Sequence, residues 1–295
     1  MVPTISVIMS THNRADILSE SMDAILNQTY EDFEFIIIND ASTDNTQEII
    51  KRYSDSRVKL FNNKKNCGCT FNYHNAQNIA KGKYIAHIDD DDISLPERFE
   101  KQINYMEQNP DVVLLGTFIE TFGENQRPSW VFYTEPEKLY FAMHIYNPIC
   151  HSSVMYRKSF IEKHAINYDL TKRCSQDYDL YKQIILKNGK ITNLDEILVR
   201  YRMHKIRLTD IKQTQNIQIL KAEEIKKELI SRFLDEDELK EYEILIKDFP
   251  FNNYDKESVI KAIEMLSAAM ERKGYDYRKV SKEIILDIEN NKFQF

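Results

Sequence analysis

Residues 4–46 read TISVIMSTHNRADILSESMDAILNQTYEDFEFIIINDASTDNT, and the order of apolar and polar runs in this stretch decides the fold. Thr4 to Met9 is a short β-branched apolar run closed by Ser10-Thr11-His12-Asn13-Arg14, the pattern of a buried strand that ends in a loop. Within residues 15–29, Ile17, Leu18, Met22, Ile25 and Leu26 recur at helical spacing. Phe33 to Ile38 (FEFIII) is a second buried strand, closed by Asn39-Asp40-Ala41-Ser42-Thr43-Asp44. Ser42 and Thr43 suit the cap of a helix through Ile49, Ile50 and Tyr53.

The alternation continues outward. Val58 to Phe61 reads as a third strand, residues 70–81 as a helix, and Tyr84 to Ile88 (YIAHI) as a fourth strand that runs into Asp89-Asp90-Asp91-Asp92. Strands and helices alternating at such short intervals predict an α/β fold, a mostly parallel central sheet with helices on both faces. Ligands of such sheets bind at the carboxyl ends of the strands. Those ends carry His12-Asn13-Arg14, Asp40 and the four aspartates.

Composition narrows the chemistry. The 295 residues are 42% hydrophobic, 29% charged and 11% aromatic, ordinary for a globular chain, but only six are glycine. No G-x-G-x-x-G and no G-x-x-x-x-G-K-[ST] is present, so glycine-rich phosphate loops are excluded. A net charge of -7 argues against a nucleic-acid partner, which requires a basic footprint. Cys67, Cys69, Cys150 and Cys174 are too scattered for a disulfide framework or a zinc site and read as reduced thiols. The N-terminus lacks a basic leader, and no apolar run approaches the ~18 residues of a membrane span. A cytoplasmic protein is expected, able to work at the inner face of the membrane as a peripheral protein.

Beyond residue 111 the pattern changes. Val112 to Leu115 is a strand, followed by a stretch rich in proline and aromatics (Pro128, Trp130, Phe132, Tyr133, Pro136) and a helix near 136–146. Ser152 to Tyr156 reads as a strand, 176–188 as a helix, and 197–203 as a strand ending at His204. Past residue 212 the chain is helical: Leu220 to Leu234, Glu238 to Phe249, Lys256 to Arg272 and Tyr277 to Glu289 each carry apolar residues at i, i+3, i+4 spacing. Pro250 and Gly274 separate helices there, and acidic residues outnumber basic ones, which argues against a lipid-gripping basic helix. The expected division is a catalytic domain of residues 1–210 and a C-terminal α-helical region of 211–295, suited to acceptor docking or to a homodimer.

The aspartate run is the strongest chemical signal. Four carboxylates directly after a buried strand repel one another unless a cation compensates, and two at D-x-D spacing can reach one divalent ion that also binds a diphosphate. An EF-hand is excluded, because Ile93 falls where a ligand belongs and no glycine follows. Asp40 and the His12-Asn13-Arg14 loop face the same crevice, although Asp40 could equally serve only to turn the chain.

Residues 4–46 closely resemble the opening of the inverting family 2 nucleotide-sugar glycosyltransferases, with a strand, a T-x-N-R loop, a Q-T-Y-x-D-F-E connector and a D-x-S-T-D turn. KGKYIAHIDDDDISLPERFEKQI resembles that family's D-x-D segment and SQDYDLY its later E-D segment, so the likeness covers residues 3–205. The resemblance implies a GT-A fold and transfer of a sugar, with inversion, from a UDP-sugar donor to a glycan or lipid-linked glycan in surface polysaccharide synthesis. It places Thr11, His12, Asn13, Arg14, Asp40, Asp89 and Asp90 around the nucleotide, with Asp40 accepting from the base. By the same likeness Asp91, with Asp89 and His204, holds Mn2+ or Mg2+, and Asp177 is the general base. Asp179 competes for that role but would face about 200° around the helix.

His151 and Trp130 are candidates to face the donor sugar or acceptor, and Tyr133 and Tyr146 could stack on sugar rings, although aromatics in such a stretch are more often core. Three positions depart from the family. His12 stands where a tyrosine is usual, Asn72-Tyr73-His74 where A-R-N is frequent, and Gln176 where an acidic residue precedes the base. Two other readings carry the D-x-D: a haloacid dehalogenase-like phosphatase, in which the motif lies near the chain start, and a non-catalytic nucleotide- or sugar-binding module. Here the motif follows three earlier strands.

Overall fold

A computed structural model describes residues 2–124, 129, 133–172, 174–204, 208–246 and 254–290. They form two compact units, one of Met1–Phe132 with Ile149–Arg207 and one of Tyr133–Pro148 with Leu208–Phe295.

The first unit opens with β1 (Ile5–Thr11), α1 (Leu18–Leu26), β2 (Phe33–Asn39), α2 (Thr46–Lys51), β3 (Val58–Asn62), α3 (Cys69–Ile79) and β4 (Tyr84–His87). β1 pairs in parallel with both β2 and β4, and β2 with β3. All seven residues of β2 are buried, which is why FEFIII is apolar without alternation. Ile5, Val7 and Met9 of β1 and Phe33, Phe35 and Ile37 of β2 join Leu18, Met22 and Ile25 of α1 in one apolar cluster. Each such side chain contributes about 1.5–3 kcal/mol on burial. The alternate residues Ile8, Ile36 and Ile38 are equally buried, and α3 lies against β1 and β2.

Entry into β4 depends on one buried polar node. Ser6 Oγ donates to Glu34 Oε1 at 2.6 Å and accepts from the amides of Lys81 and Gly82 at 3.0 and 2.8 Å. Gly82 is required here, because a Cβ would lie 2.5 Å from the Ser6 amide nitrogen.

After β4 come β5 (Ile93–Ser94), α4 (Arg98–Gln108) and β6 (Val112–Gly123), then α5 (Pro136–Ala142), β7 (Met155–Arg157), α6 (Lys158–Lys163), α7 (Gln176–Leu186) and β8 (Lys190–Met203). The eight strands form one sheet in the order β3-β2-β1-β4-β7-β6-β8-β5. The sheet is therefore mixed: β7 runs antiparallel to β4 and β6, and β5 antiparallel to β8, whereas β6 and β8 are parallel.

Three local expectations need correction. Ser152 does not begin a strand: His151–Ser153 is a 3-10 turn, closed by Ser153 Oγ donating to the Cys150 carbonyl at 2.8 Å, and β7 starts at Met155. Ser42 and Thr43 do not cap α2, which begins at Thr46 with Asp44 Oδ1 accepting from the Thr46 amide at 3.0 Å. The last strand is also longer than residues 197–203, since β8 starts at Lys190.

In the second unit, α5 is followed by α8 (Leu208–Ile230), α9 (Glu236–Leu245), α10 (Lys256–Arg272) and α11 (Arg278–Glu289). Val259, Ile263, Leu266 and Met270 of α10 pack with Phe141, Tyr146, Phe233, Tyr242, Ile284 and Ile288. Asp235 and Glu238 form a capping box at α9, two residues ahead of the expected start. Tyr146 is 5% exposed within this core, so it is not a sugar platform, and Tyr133 donates from its hydroxyl to Asp287. Among the described residues no helix is long and apolar enough to cross a membrane.

Candidate active site at the carboxyl edge of the sheet

The loops that follow β1 and β2 are bonded to one another. The Asp40 amide donates to the Thr11 carbonyl at 2.8 Å, and His12 Nδ1–H donates to the Asp40 carbonyl at 2.8 Å. The Asn13 amide donates to Ser42 Oγ at 3.0 Å, Asn13 Oδ1 accepts from the Thr43 amide at 2.8 Å, and the Arg14 amide donates to Thr46 Oγ1 at 2.9 Å. Ser42, Thr43 and Thr46 therefore serve this loop pair. With Nδ1 protonated, His12 Nε2 is an acceptor, and Asn13 Nδ2 donates to it at 3.3 Å.

Asp40 is 2% exposed. Its Oδ1 accepts from Asn63 Nδ2 and the Cys67 amide, at 2.7 and 2.9 Å, and its Oδ2 accepts from the Gly68 amide at 2.8 Å. Burial opposes the charge, but these donors outweigh it and hold the carboxyl below its ordinary range, so Asp40 is ionised. Asn63 also donates to Asn72 Oδ1, and Asn72 Nδ2 donates to Ser10 Oγ. Asn72, where the family often differs, thus supports the loop around Asp40.

The four aspartates divide their work. Asp89 accepts from the Tyr73 hydroxyl at 3.0 Å and from Ser152 Oγ at 2.9 Å. Asp90 lies 3.5 Å from Arg14 Nε, and Asp91 Oδ2 lies 3.6 Å from Arg14 Nη2 and 2.8 Å from His204 Nε2. Asp92 is turned inward, 1% exposed, with Oδ1 accepting from the Arg202 amide at 2.8 Å. Burial raises the carboxyls of Asp89 and Asp92, and it pushes Asp90 up to about 7, with Asp91 adding repulsion in each case. Such a cluster favours positive charge beside it, which Arg14 supplies in part.

Asp91 Oδ2 and His204 Nε2 are hydrogen-bonded to one another at 2.8 Å, and an oxygen and an imidazole nitrogen are groups of the kind that bind divalent ions. Arg202 fixes this pair's surroundings: Nε donates to the Asp91 carbonyl, Nη2 to Glu20 Oε2, and the guanidinium lies 4.4 Å over the Phe122 ring.

Asp177 is in the first turn of α7, behind Ser175, which adopts a left-handed φ of 55°. Asp179 is a different kind of residue. It is 2% exposed, and its two oxygens accept from Lys182 Nζ and Gln183 Nε2, each at 2.8 Å. His151 hydrogen-bonds through Nε2 to the Tyr168 hydroxyl at 3.0 Å, and burial lowers its pKa although the Asp177 and Asp89 charges pull it upward.

The structure thus brings Thr11, His12, Asn13, Arg14, Asp40, Asp90, Asp91 and His204 to one sheet edge, with Asp89 and Asp177 each within electrostatic reach of His151. Trp130 lies outside the described residues, as do Pro128 and Phe132. Sequence reasoning missed Tyr73, His87, Arg98 and Arg202. Arg98 is fully buried and donates to Ser94 Oγ, Gln102 Oε1 and the carbonyls of His87 and Val154, tying α4 to the strand ends beneath the aspartates.

The sequence matches the model of the family described as Glycosyl transferase family 2 over residues 6–165. An uncharacterized glycosyltransferase of Methanocaldococcus jannaschii is 37% identical over 211 residues, 68% of this chain and 71% of that protein. The UDP-Glc:alpha-D-GlcNAc-diphosphoundecaprenol beta-1,3-glucosyltransferase WfaP of Escherichia coli is 30% identical over 200 residues, 68% of this chain and 77% of that protein. Among solved structures, S. aureus TarS 1-349 in complex with UDP-GlcNAc superposes with a TM-score of 0.66 at 16% identity, covering 91% of this chain and 81% of that one. The mannosyltransferase PcManGT of Pyrobaculum calidifontis, in complex with GDP-Man and Mn2+, gives a TM-score of 0.61 at 12% identity, covering 100% and 82%. These likenesses identify the fold as GT-A.

Proposed function

The chain belongs to glycosyltransferase family 2, and from that premise we propose that it is an inverting, cation-dependent enzyme that moves a hexosyl or N-acetylhexosaminyl group from a UDP-sugar to a hydroxyl of a glycan or lipid-linked glycan. The observation that carries this reading is the Asp91–His204 pair, 2.8 Å apart beside Arg14. WfaP's named donor and diphosphoundecaprenol-linked acceptor support the substrate class, and the TarS complex supports a UDP donor on this fold. The mannosyltransferase complex supports a divalent ion. An acceptor of that kind implies work at the cytoplasmic face of a membrane, in surface polysaccharide synthesis.

The chemistry is a single displacement. Asp177 accepts the acceptor hydroxyl proton while that oxygen attacks the anomeric carbon and the bond to the UDP oxygen breaks. Asp40 takes the N3–H of uracil, and the His12 ring covers the base. Arg14, held by the Thr46 hydroxyl through its amide, faces the departing diphosphate. Asp91, His204 and Asp89 would hold Mn2+ or Mg2+, which would supply charge neutralisation for that leaving group. No covalent nucleophile is needed.

Calorimetric titration of UDP tests the reading. Binding is expected with Mn2+ or Mg2+, to be lost in EDTA, and to weaken at least ~10-fold in Asp91→Ala, since a charged ligand contact is worth about 1.5–3 kcal/mol. Equal UDP affinity with and without cation would overturn the metal assignment. Phosphate release without any nucleotide would restore the phosphatase reading.

A further inference from the structure

His87 ends β4 two residues before Asp89 and is fully buried. Its backbone is committed: the amide donates to the Val154 carbonyl at 3.0 Å and the carbonyl accepts from Arg98 at 2.8 Å. The ring stacks face to face on His151, with centroids 3.4 Å apart and planes 22° apart, and Tyr73 meets its edge at 4.5 Å. Among the described residues neither ring nitrogen makes a hydrogen bond of good geometry, the His151 backbone being the one other group close enough to act on the ring. Asp89 Oδ1 lies 3.9 Å from Nε2.

A phenylalanine would fill this slot, keep both ring contacts and leave no polar atom unpaired. An imidazole N–H stranded in the interior is costly, so stability alone selects against histidine here. We propose that His87 is a positioning residue, a donor held in reserve whose Nε2–H closes the gap to Asp89 when donor nucleotide and cation draw the aspartate loop inward. Asp89 would then be held from three sides, by His87, by Tyr73 and by Ser152, with its remaining lone pairs aimed at the ligand. The inference rests on the nucleotide–cation reading of Asp89 given above.

A shared metal ion is the rival explanation, because ligand atoms of His87, Asp89 and His151 all lie within 4.8 Å of one another. The stack argues against it. A ligand nitrogen binds an ion in the plane of its ring, and two nearly parallel rings in face contact cannot both do so without turning apart.

The test compares wild type, His87→Phe and His87→Gln, the last retaining an N–H near the Nε2 position. UDP affinity with Mn2+, kcat, KM and thermal midpoint are read on each full-length chain. His87→Phe is expected to melt at or above the wild-type temperature yet bind UDP–Mn2+ and turn over about 10-fold less well, the weight of one charge-assisted hydrogen bond. His87→Gln is expected to recover part of that loss at a lower melting temperature. Wild-type affinity and kcat in His87→Phe would overturn the proposal, as would an activity loss that only tracks a lower melting temperature. One equivalent of metal retained by wild type after EDTA and missing from His87→Phe would overturn it in favour of the ion. Wild type that binds no UDP at any cation concentration would sink the functional reading itself, whereas wild-type binding left unchanged by His87→Phe sinks this inference alone.

Discussion

Two aspartates two residues apart on α7 should fail in opposite ways when each is made asparagine. Asp177 stands in the first turn of the helix, where the backbone dipole favours its charge by about 0.3–1 kcal/mol, so Asp177→Asn should melt within a few degrees of wild type. As the proposed proton acceptor it should nonetheless lower kcat about 10²–10⁴-fold, with UDP–Mn2+ affinity nearly unchanged. Asp179 faces Lys182, whose side chain is only 8% exposed, with Nζ and Oδ1 2.8 Å apart. Removing one charge of a buried pair costs about 3–5 kcal/mol. At about 2–4 °C per kcal/mol for a unit of this size, Asp179→Asn should melt roughly 6–20 °C lower. Any Asp179→Asn that folds at low temperature should keep a kcat within about threefold of wild type, since the lost group touches no reacting atom. The assays are differential scanning fluorimetry and initial-rate transfer from a UDP-sugar panel, both at a temperature where each variant is folded. A stable, inactive Asp179→Asn beside an active Asp177→Asn would refute the assignment and make the buried pair the catalytic one.

Two further outcomes test the fold independently of any substrate. Ser6→Ala removes the hydroxyl that accepts from Gly82 and donates to Glu34, and should cost about 1–3 kcal/mol by thermal melting with no change in UDP affinity at low temperature; an unchanged melting temperature would show that the node is not needed. In the second unit His144 is fully buried, donates through Nδ1 to the Tyr140 carbonyl at 2.8 Å, and is pushed down to about 4 by burial. Its unfolded pKa is about 6.5, so the unfolded chain binds the extra proton between those values and stability falls as pH drops from about 6.5 to 4, by at most about 3 kcal/mol. His144→Phe should flatten the melting temperature over that window, and parallel wild-type and variant profiles would refute this.

The first four strands were legible because their physics is local. FEFIII, short, β-branched and closed by a polar turn, reads as a strand buried on both faces, and the polar clusters at the strand ends mark the site edge without any knowledge of pairing. Helix α4 was not legible, and the sequence pattern assigns no helix or strand between residues 93 and 110. Its inner face carries Arg98 and Gln102, both fully buried, among Phe99, Ile103 and Met106, so two of five core positions are polar and the apolar spacing breaks. Gln102 bonds the carbonyls of Leu115 and Ser153, partners set by distant segments that no local pattern reveals. The same holds for His87, which reads as one polar residue inside an apolar strand until the fold sets His151 against it. Pairing direction beyond β4 was equally hidden, since β7 has only three residues and its antiparallel register depends on contacts with both neighbours.

The scarcity of glycine bears on how the site binds. Three loops at the site edge take left-handed conformations without glycine: Asn13, Ala41 and Ser175, with φ of 55°, 56° and 55°. For a residue with a Cβ this geometry costs about 1–2 kcal/mol, so each must be held by its surroundings. Ala41 is held by its amide on the Asn39 carbonyl at 3.0 Å, and the neighbouring Ser42 amide on Asn39 Oδ1 at 3.2 Å. Asn13 is held by Ser42 and Thr43. Loops fixed in this way lose little further freedom when a nucleotide arrives, which favours binding. They also cannot wrap their amides around a diphosphate as a glycine-rich turn does. In the function proposed above the phosphate charge is met by groups that project from fixed loops, Arg14, His204 and a cation on Asp91, so the rigidity of these loops and the proposed need for a divalent ion have a common origin in the residues chosen for the turns.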